Sequence, residues 1–121
     1  MRVYVDTNVF MDFLEDRNSS AHRFFIKAIS CMYTVVISEI IIKELRFQNV
    51  DINPLLKILE SKIEGLLVTN EDKLKAKTLP THYNDALHIC IAERAEVEAI
   101  ITRNKKDFKC TNIPVKSTDD L

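Results

Sequence analysis

Glycine is nearly absent from this chain: of 121 residues, only Gly65 is one. A loop that wraps phosphates in backbone N–H groups needs several glycines close together. Neither a P-loop nor a dinucleotide fingerprint can therefore be written here. Cysteine is sparse too, and Cys31, Cys90 and Cys110 form no CxxC pair and no metal-ligand spacing. An odd, scattered set reads as reduced thiols in the cytoplasm. Cys31 and Cys90, in apolar surroundings, read as packing residues rather than nucleophiles. No apolar run approaches the roughly 20 residues of a membrane span, and the chain opens on a strand pattern without a cleavable signal. Excess charge is missing as well. A net charge of -1 leaves no general basic coat for nucleic acid, so any such binding must use a local patch.

What is present suits a globular protein. A hydrophobic fraction of 46% and a charged fraction of 29% are enough for a core without disulfides, and the length predicts one domain spanning residues 1–121.

Hydrophobic periodicity alternates between strand and helix. Residues 2–5 read as a buried strand and Asn8 to Leu14 as a short helix. Ser19 or Ser20 is placed to cap a helix through about Met32, and Thr34 to Ile37 reads as a second strand. Ser38 is expected to cap a helix to about Asn49. Asn53-Pro54 starts another that should end near Gly65. Leu66-Leu67-Val68 reads as a third strand, followed by a polar helix from Asn70 to about Lys77. A helix from about His82 to Ala95, a strand from Ala99 to Thr102, a strand at Ile113-Pro114-Val115 and a helical turn at Ser117 to Asp120 complete the chain. Strands separated by helices predict a parallel sheet with helices on both faces. Ligands of such sheets gather beyond the carboxyl ends of the strands. Asp6 falls there, as do Asn104 and Asp107.

Four acidic residues stand out in that frame. Asp6 ends the run Val3-Tyr4-Val5; it reads either as the N-cap of the next helix or as a metal ligand oriented by Thr7 or Asn8. Glu44 has Ile40, Ile41 and Phe47 as helical neighbours, so it points into an apolar face unless it snorkels outward. Glu39 sits where a carboxylate favours the helix dipole, off the face of Glu44, and reads as structural. Asp85 opens a helix that is apolar almost all round, either as a dipole partner or as a ligand. Asp107 follows Thr102-Arg103-Asn104, a polar stretch suited to a loop reaching back toward a site; taken alone it is an ordinary loop aspartate. His82 and His88 are six residues apart, on different faces, which argues against a histidine zinc site. No serine has a visible His/Asp partner, and no cysteine starts a helix in an electropositive setting. Carboxylates against a small core need neutralisation, and hard oxygen ligands suit Mg2+ or Mn2+.

These residues carry a resemblance. Val3-Tyr4-Val5-Asp6-Thr7-Asn8-Val9-Phe10 resembles the opening motif of PIN domains. Ser38-Glu39-Ile40-Ile41-Ile42-Lys43-Glu44-Leu45 is similar to their second acidic motif, with Glu44 just before leucine. Asp85-Ala86-Leu87-His88-Ile89 resembles the third, and Thr102-Arg103-Asn104-Lys105-Lys106-Asp107-Phe108 the fourth. Together they span residues 2 to about 116 in the family's order.

The resemblance implies a three-layer α/β/α sandwich with a central parallel sheet of about five strands. It also implies an Mg2+- or Mn2+-dependent endoribonuclease whose catalytic and metal-holding residues are Asp6, Glu44, Asp85 and Asp107. Thr7, Asn8, Thr102 and Asn104 would support them. Small members resemble the toxin halves of VapBC toxin–antitoxin pairs, which implies a homodimer and leaves room for an antitoxin partner. One departure stands out: many members carry an acidic residue where this chain has Asn104, which puts a second metal position in doubt. Arg103, Lys105 and Lys106, with Lys109, form a candidate RNA phosphate patch or simply a solvated loop. The rival readings are a PIN-like binding or assembly module without activity, and a haloacid-dehalogenase-like phosphatase or receiver domain. The phosphatase pattern wants an aspartate where Asn8 stands, and a receiver wants an acidic pair that is missing.

Overall fold

The computed structural model covers residues 1–121. Its five strands are β1 (Arg2–Val5), β2 (Thr34–Ser38), β3 (Ile63–Leu66), β4 (Ala99–Ile101) and β5 (Val115–Lys116). All pairings are parallel, in the order β3-β2-β1-β4-β5. Six helices connect them: α1 (Thr7–Leu14), α2 (Ser19–Ile29), α3 (Glu39–Phe47), α4 (Asn53–Ile58), α5 (Asn70–Ala76) and α6 (Tyr83–Arg94). Right-handed crossovers put α1 to α4 on one face of the sheet and α5 and α6 on the other. This is the expected three-layer α/β/α arrangement. No helix is long and apolar enough to cross a membrane.

The order determines where a ligand can sit. From β1 the chain winds outward to β2 and β3, then crosses back to β4 on the other side of β1. The direction of winding therefore reverses between β1 and β4, which opens a crevice at their carboxyl ends. Val5 pairs with Ile101 there, so Asp6 and Thr102 leave the sheet side by side. The central strands beneath are largely apolar and buried. Val3, Tyr4, Val5, Ile100 and Ile101 are all fully buried, as central strands of a doubly covered sheet should be.

The local reading needs several corrections. Asn18, not Ser19 or Ser20, caps α2 by accepting from the Ser20 N–H. The helix begun at Pro54 stops at Ile58, and Gly65 lies inside β3 opposite Ile37. The third strand is accordingly Ile63–Leu66 rather than residues 66–68. Pairing explains the shift: Ile63 to Leu66 align with Val35 to Ser38, whereas the Val68 N–H is taken by the Glu39 carboxylate at 2.7 Å. The Leu67 carbonyl accepts from Arg94 at 2.8 Å. Helix exits are managed without glycine. Asp16, Cys31, Asn49 and Glu96 adopt left-handed backbone, with φ of 54°, 69°, 57° and 55°, where glycine is the usual choice. Cys31 is thus an exposed turn residue and not part of the core, while Cys90 is buried as expected.

Candidate functional site

Asp6 is 9% exposed and does two things at once. It caps α1, its Oδ1 accepting from the Thr7 N–H at 2.8 Å. Its Oδ2 accepts from Asn8 Nδ2 at 3.1 Å and from Thr102 Oγ1 at 2.8 Å. The Thr102 hydroxyl is in turn fixed by the Asn104 N–H at 3.1 Å, and Asn8 Oδ1 accepts from the Arg103 N–H at 3.1 Å. The segments after β1 and β4 are therefore stitched together around one carboxylate. The extended backbone at Asp6 (φ -72°, ψ 156°) is that of an N-cap, so capping aims the carboxylate.

Glu44 projects from the middle of α3. Its Oε1 accepts from Thr7 Oγ1 at 3.0 Å and from His88 Nε2 at 2.8 Å, whereas Oε2 has no protein donor. Burial raises its pKa, but the His88 bond and charge, together with the Thr7 bond, outweigh this and leave it below the ordinary value. The apolar face expected around Glu44 is divided. Ile41 belongs to the core, but Phe47 is 85% exposed and lies, with Ile40, on the wall of an open cavity.

Asp85 occupies the first turn of α6. It accepts no hydrogen bond, and its pKa is raised by burial and by the neighbouring Asp107, with Asp6 adding to the effect; His88 and His82 oppose it. Asp107 sits on the 3-10 turn Lys105–Phe108. Its backbone N–H bonds the Asn104 carbonyl at 3.0 Å, while its carboxylate has no partner.

All four carboxylates line a single cavity of about 720 Å3, together with Thr7, Asn8 and Asn104. Lys43 and Lys73 are on the same wall, and Met11, Ile40, Phe47, Val68 and Leu87 supply apolar surface. No three acidic, histidine or cysteine side chains converge tightly enough to hold a metal ion as they stand. The donor set nevertheless consists of hard carboxylate oxygens, and two of its members, Asp85 and Asp107, repel each other with no ion pair to either. That chemistry fits Mg2+ or Mn2+ rather than a soft metal.

Of the residues in the candidate phosphate patch, Arg103 pairs with the buried Asp12 at 2.6 Å and Lys105 with Asp120 at 3.0 Å. Lys106 has no ion-pair partner. The sequence assigned no site role to Lys43, Lys73, Tyr4, Ser38 or His88. Ser38 starts α3 without capping it; its hydroxyl lies 2.8 Å from the Tyr4 phenol instead. That phenol is 2.6 Å from His88 Nδ1. A signal existed: a tyrosine in a buried strand and a histidine in an apolar helix both require polar partners.

The PIN domain family model matches residues 3–112. Among solved structures, VapBC2 from Rickettsia felis bound to a DNA fragment from their promoter is similar. It has a TM-score of 0.70 and 19% identity, over 97% of this chain and 98% of that one. FitAcB from Neisseria gonorrhoeae has a TM-score of 0.70 and 19% identity, over 98% and 99%. A toxin–antitoxin complex from Klebsiella pneumoniae has a TM-score of 0.66 and 20% identity, over 93% and 94%. No curated protein matches in sequence.

Proposed function

The chain belongs to the PIN domain family, and from that premise we propose that it is a divalent-cation-dependent endoribonuclease, the toxin member of a toxin–antitoxin pair. Asp6, Glu44 and Asp85 would hold Mg2+ or Mn2+, with Asp107 contributing directly or through water. The chemistry such a cation supplies when bound is a more acidic water and compensation of charge on the phosphate oxygens. Around it, Thr7, Asn8 and Thr102 keep the Asp6 carboxylate aimed, and Asn104 offers an uncharged hydrogen-bonding group. Lys43 and Lys73, on the cavity wall, are placed to attract the RNA backbone, and Lys106 to extend that attraction. Cleavage leaves a 5′-phosphate and a 3′-hydroxyl. With its free cysteines, the protein works in the cytoplasm as one domain.

One observation carries this reading. Asp85 is half-buried beside Asp107 with no donor to balance it, in the cavity that Asp6 and Glu44 also line. The α6 N-terminus, His88 and His82 offset this charge only in part, since the Asp85 pKa stays raised, and a bound cation would offset the rest. RNA cleavage with Mn2+ tests it: wild type should cut, and Asp85→Asn should lose on the order of 10²-fold or more. Equal cleavage by the two proteins refutes the site.

The inactive-module alternative has one observation in its favour, the lack of a ready-made three-ligand cluster. Calorimetric titration separates the two readings, because a module without activity binds neither Mn2+ nor Mg2+, as Asp6→Asn should fail to do. The partner side of the proposal draws on the similar structures, which include a toxin–antitoxin complex. Light scattering should report twice the 14.0 kDa chain mass for the expected homodimer.

A further inference from the structure

Beneath the cavity runs a buried polar chain that the proposed chemistry does not use. Ser38, Tyr4 and His88 are respectively 1%, 0% and 1% exposed, and they come from β2, β1 and α6. Ser38 Oγ lies 2.8 Å from the Tyr4 hydroxyl, the Tyr4 hydroxyl 2.6 Å from His88 Nδ1, and His88 Nε2 2.8 Å from Glu44 Oε1. Three groups buried in an apolar core cost stability unless each is satisfied, and no buried side-chain polar atom here lacks a partner.

Proton accounting fixes the Glu44 end of the chain. An ionised Glu44 can only accept, so His88 Nε2 carries the hydrogen. With His88 neutral, Nδ1 accepts and only the Tyr4 hydroxyl is there to donate; with His88 protonated, Nδ1 donates to the Tyr4 oxygen, and the Nε2 bond to Glu44 is the same in both states. The Tyr4 hydroxyl keeps its proton, since burial pushes the phenol far up despite the Ser38 bond. The Tyr4 oxygen accepts from the Ser38 hydroxyl in the first case, and the Tyr4 hydroxyl donates to Ser38 Oγ in the second. Each member therefore fixes the rotation or tautomer of the next, ending at one oxygen of Glu44. Because Thr7 donates to that same Oε1 at 3.0 Å, the carboxylate is gripped on one side and Oε2 is left without a donor.

We propose that Ser38, Tyr4 and His88 form a buried relay that positions Glu44, with His88 as the positioning residue that reserves Oε2 for the cation. The inference rests on the reading that Glu44 helps to hold Mg2+ or Mn2+. It goes beyond that reading by assigning a function to core residues that never touch the ion or the RNA. Partners behind a metal-binding carboxylate or imidazole commonly change metal affinity by ~10- to 100-fold.

The test is Mn2+ calorimetry on the full chain, paired with urea unfolding of the metal-free protein. Wild type and Glu44→Gln come first: tight binding by the former and loss in the latter support the underlying reading, and absence of binding by wild type overturns both. His88→Leu should weaken Mn2+ binding ~10-fold or more while the metal-free protein stays folded, since leucine suits the apolar surroundings. His88→Gln, which keeps a donor near the Nε2 position, should recover most of the affinity. Tyr4→Phe should weaken binding less than His88→Leu, because the ring of His88 remains. If wild type binds, Glu44→Gln does not, and both His88→Leu and Tyr4→Phe bind like wild type, the relay is only structural and the inference fails while the site stands.

Discussion

The two halves of the cavity are built on opposite principles. On the β1/α3 side, Asp6 accepts three hydrogen bonds and Glu44 two. Their orientation is determined before any ligand arrives. On the α6 side, Asp85 and Asp107 accept none, and Asp85 is held above its ordinary pKa by burial and by Asp107. One half is preorganised and the other is electrostatically frustrated. On the proposed reading the difference is a division of labour: the held carboxylates would define the position, and the frustrated pair would supply affinity for the cation.

The largest break in this comparison should come from Asp6→Ala. It removes a helix cap and strands the buried Thr102 hydroxyl, at a cost of about 2–3 kcal/mol, read from urea unfolding of the metal-free protein. Asp72 provides a held carboxylate that does not line the cavity. Arg94 bonds it at 3.0 and 3.2 Å and the Thr69 N–H at 3.0 Å. Burial opposes these contacts, but they prevail and lower its pKa. A lowered folded pKa means the unfolded chain binds the proton more readily. Its contribution is therefore present above the ordinary aspartate value, about 3.9, and is lost as pH falls through the folded value. Asp72→Asn should cost about 1 kcal/mol at neutral pH, and that deficit should shrink in urea curves taken at progressively lower pH below 4.

Asp85→Asn should reverse the sign. Removing one member of the repelling pair should stabilise the metal-free fold by roughly 0.5–1 kcal/mol, and on the proposed reading the same change should abolish cation binding. The smallest effect is expected at Asn104, which lines the cavity beside Asp107. Asn104→Asp adds a third charge to the frustrated half. It should lower metal-free stability by about 0.5 kcal/mol while tightening Mn2+ binding, with thermal unfolding and calorimetry as the readouts.

Much of this was legible in sequence because the alternation of apolar strands and amphipathic helices is strong. β1, α5 and α6 fall close to where the pattern puts them, and the parallel pairing, though not the strand order, follows from that alternation. What failed was local chemistry overruled from a distance. Gly65 looked like a helix stop but pairs with Ile37 in a strand. Ser38 looked like a cap, yet its hydroxyl serves Tyr4, 34 residues away. Phe47 looked like core and lines the cavity instead. The relay to Glu44 was invisible because Tyr4 and His88 are 84 residues apart, and no periodicity relates positions so distant. Arg103 and Lys105 looked like free cations; their partners, Asp12 and Asp120, become neighbours only in the fold. Asp6 could be read either as a cap or as a ligand, and the structure shows that the cap itself aims the carboxylate.

The most direct test of this division is thermal unfolding of wild type and Asp85→Asn, each with and without Mn2+. A ligand that binds only the folded state at 100 times its dissociation constant adds about 2.7 kcal/mol. Asp85→Asn should melt above wild type without Mn2+, and only wild type should rise when Mn2+ is added. If Asp85→Asn melts below wild type without metal, or gains as much from Mn2+ as wild type does, the frustrated half does not exist and the account is wrong.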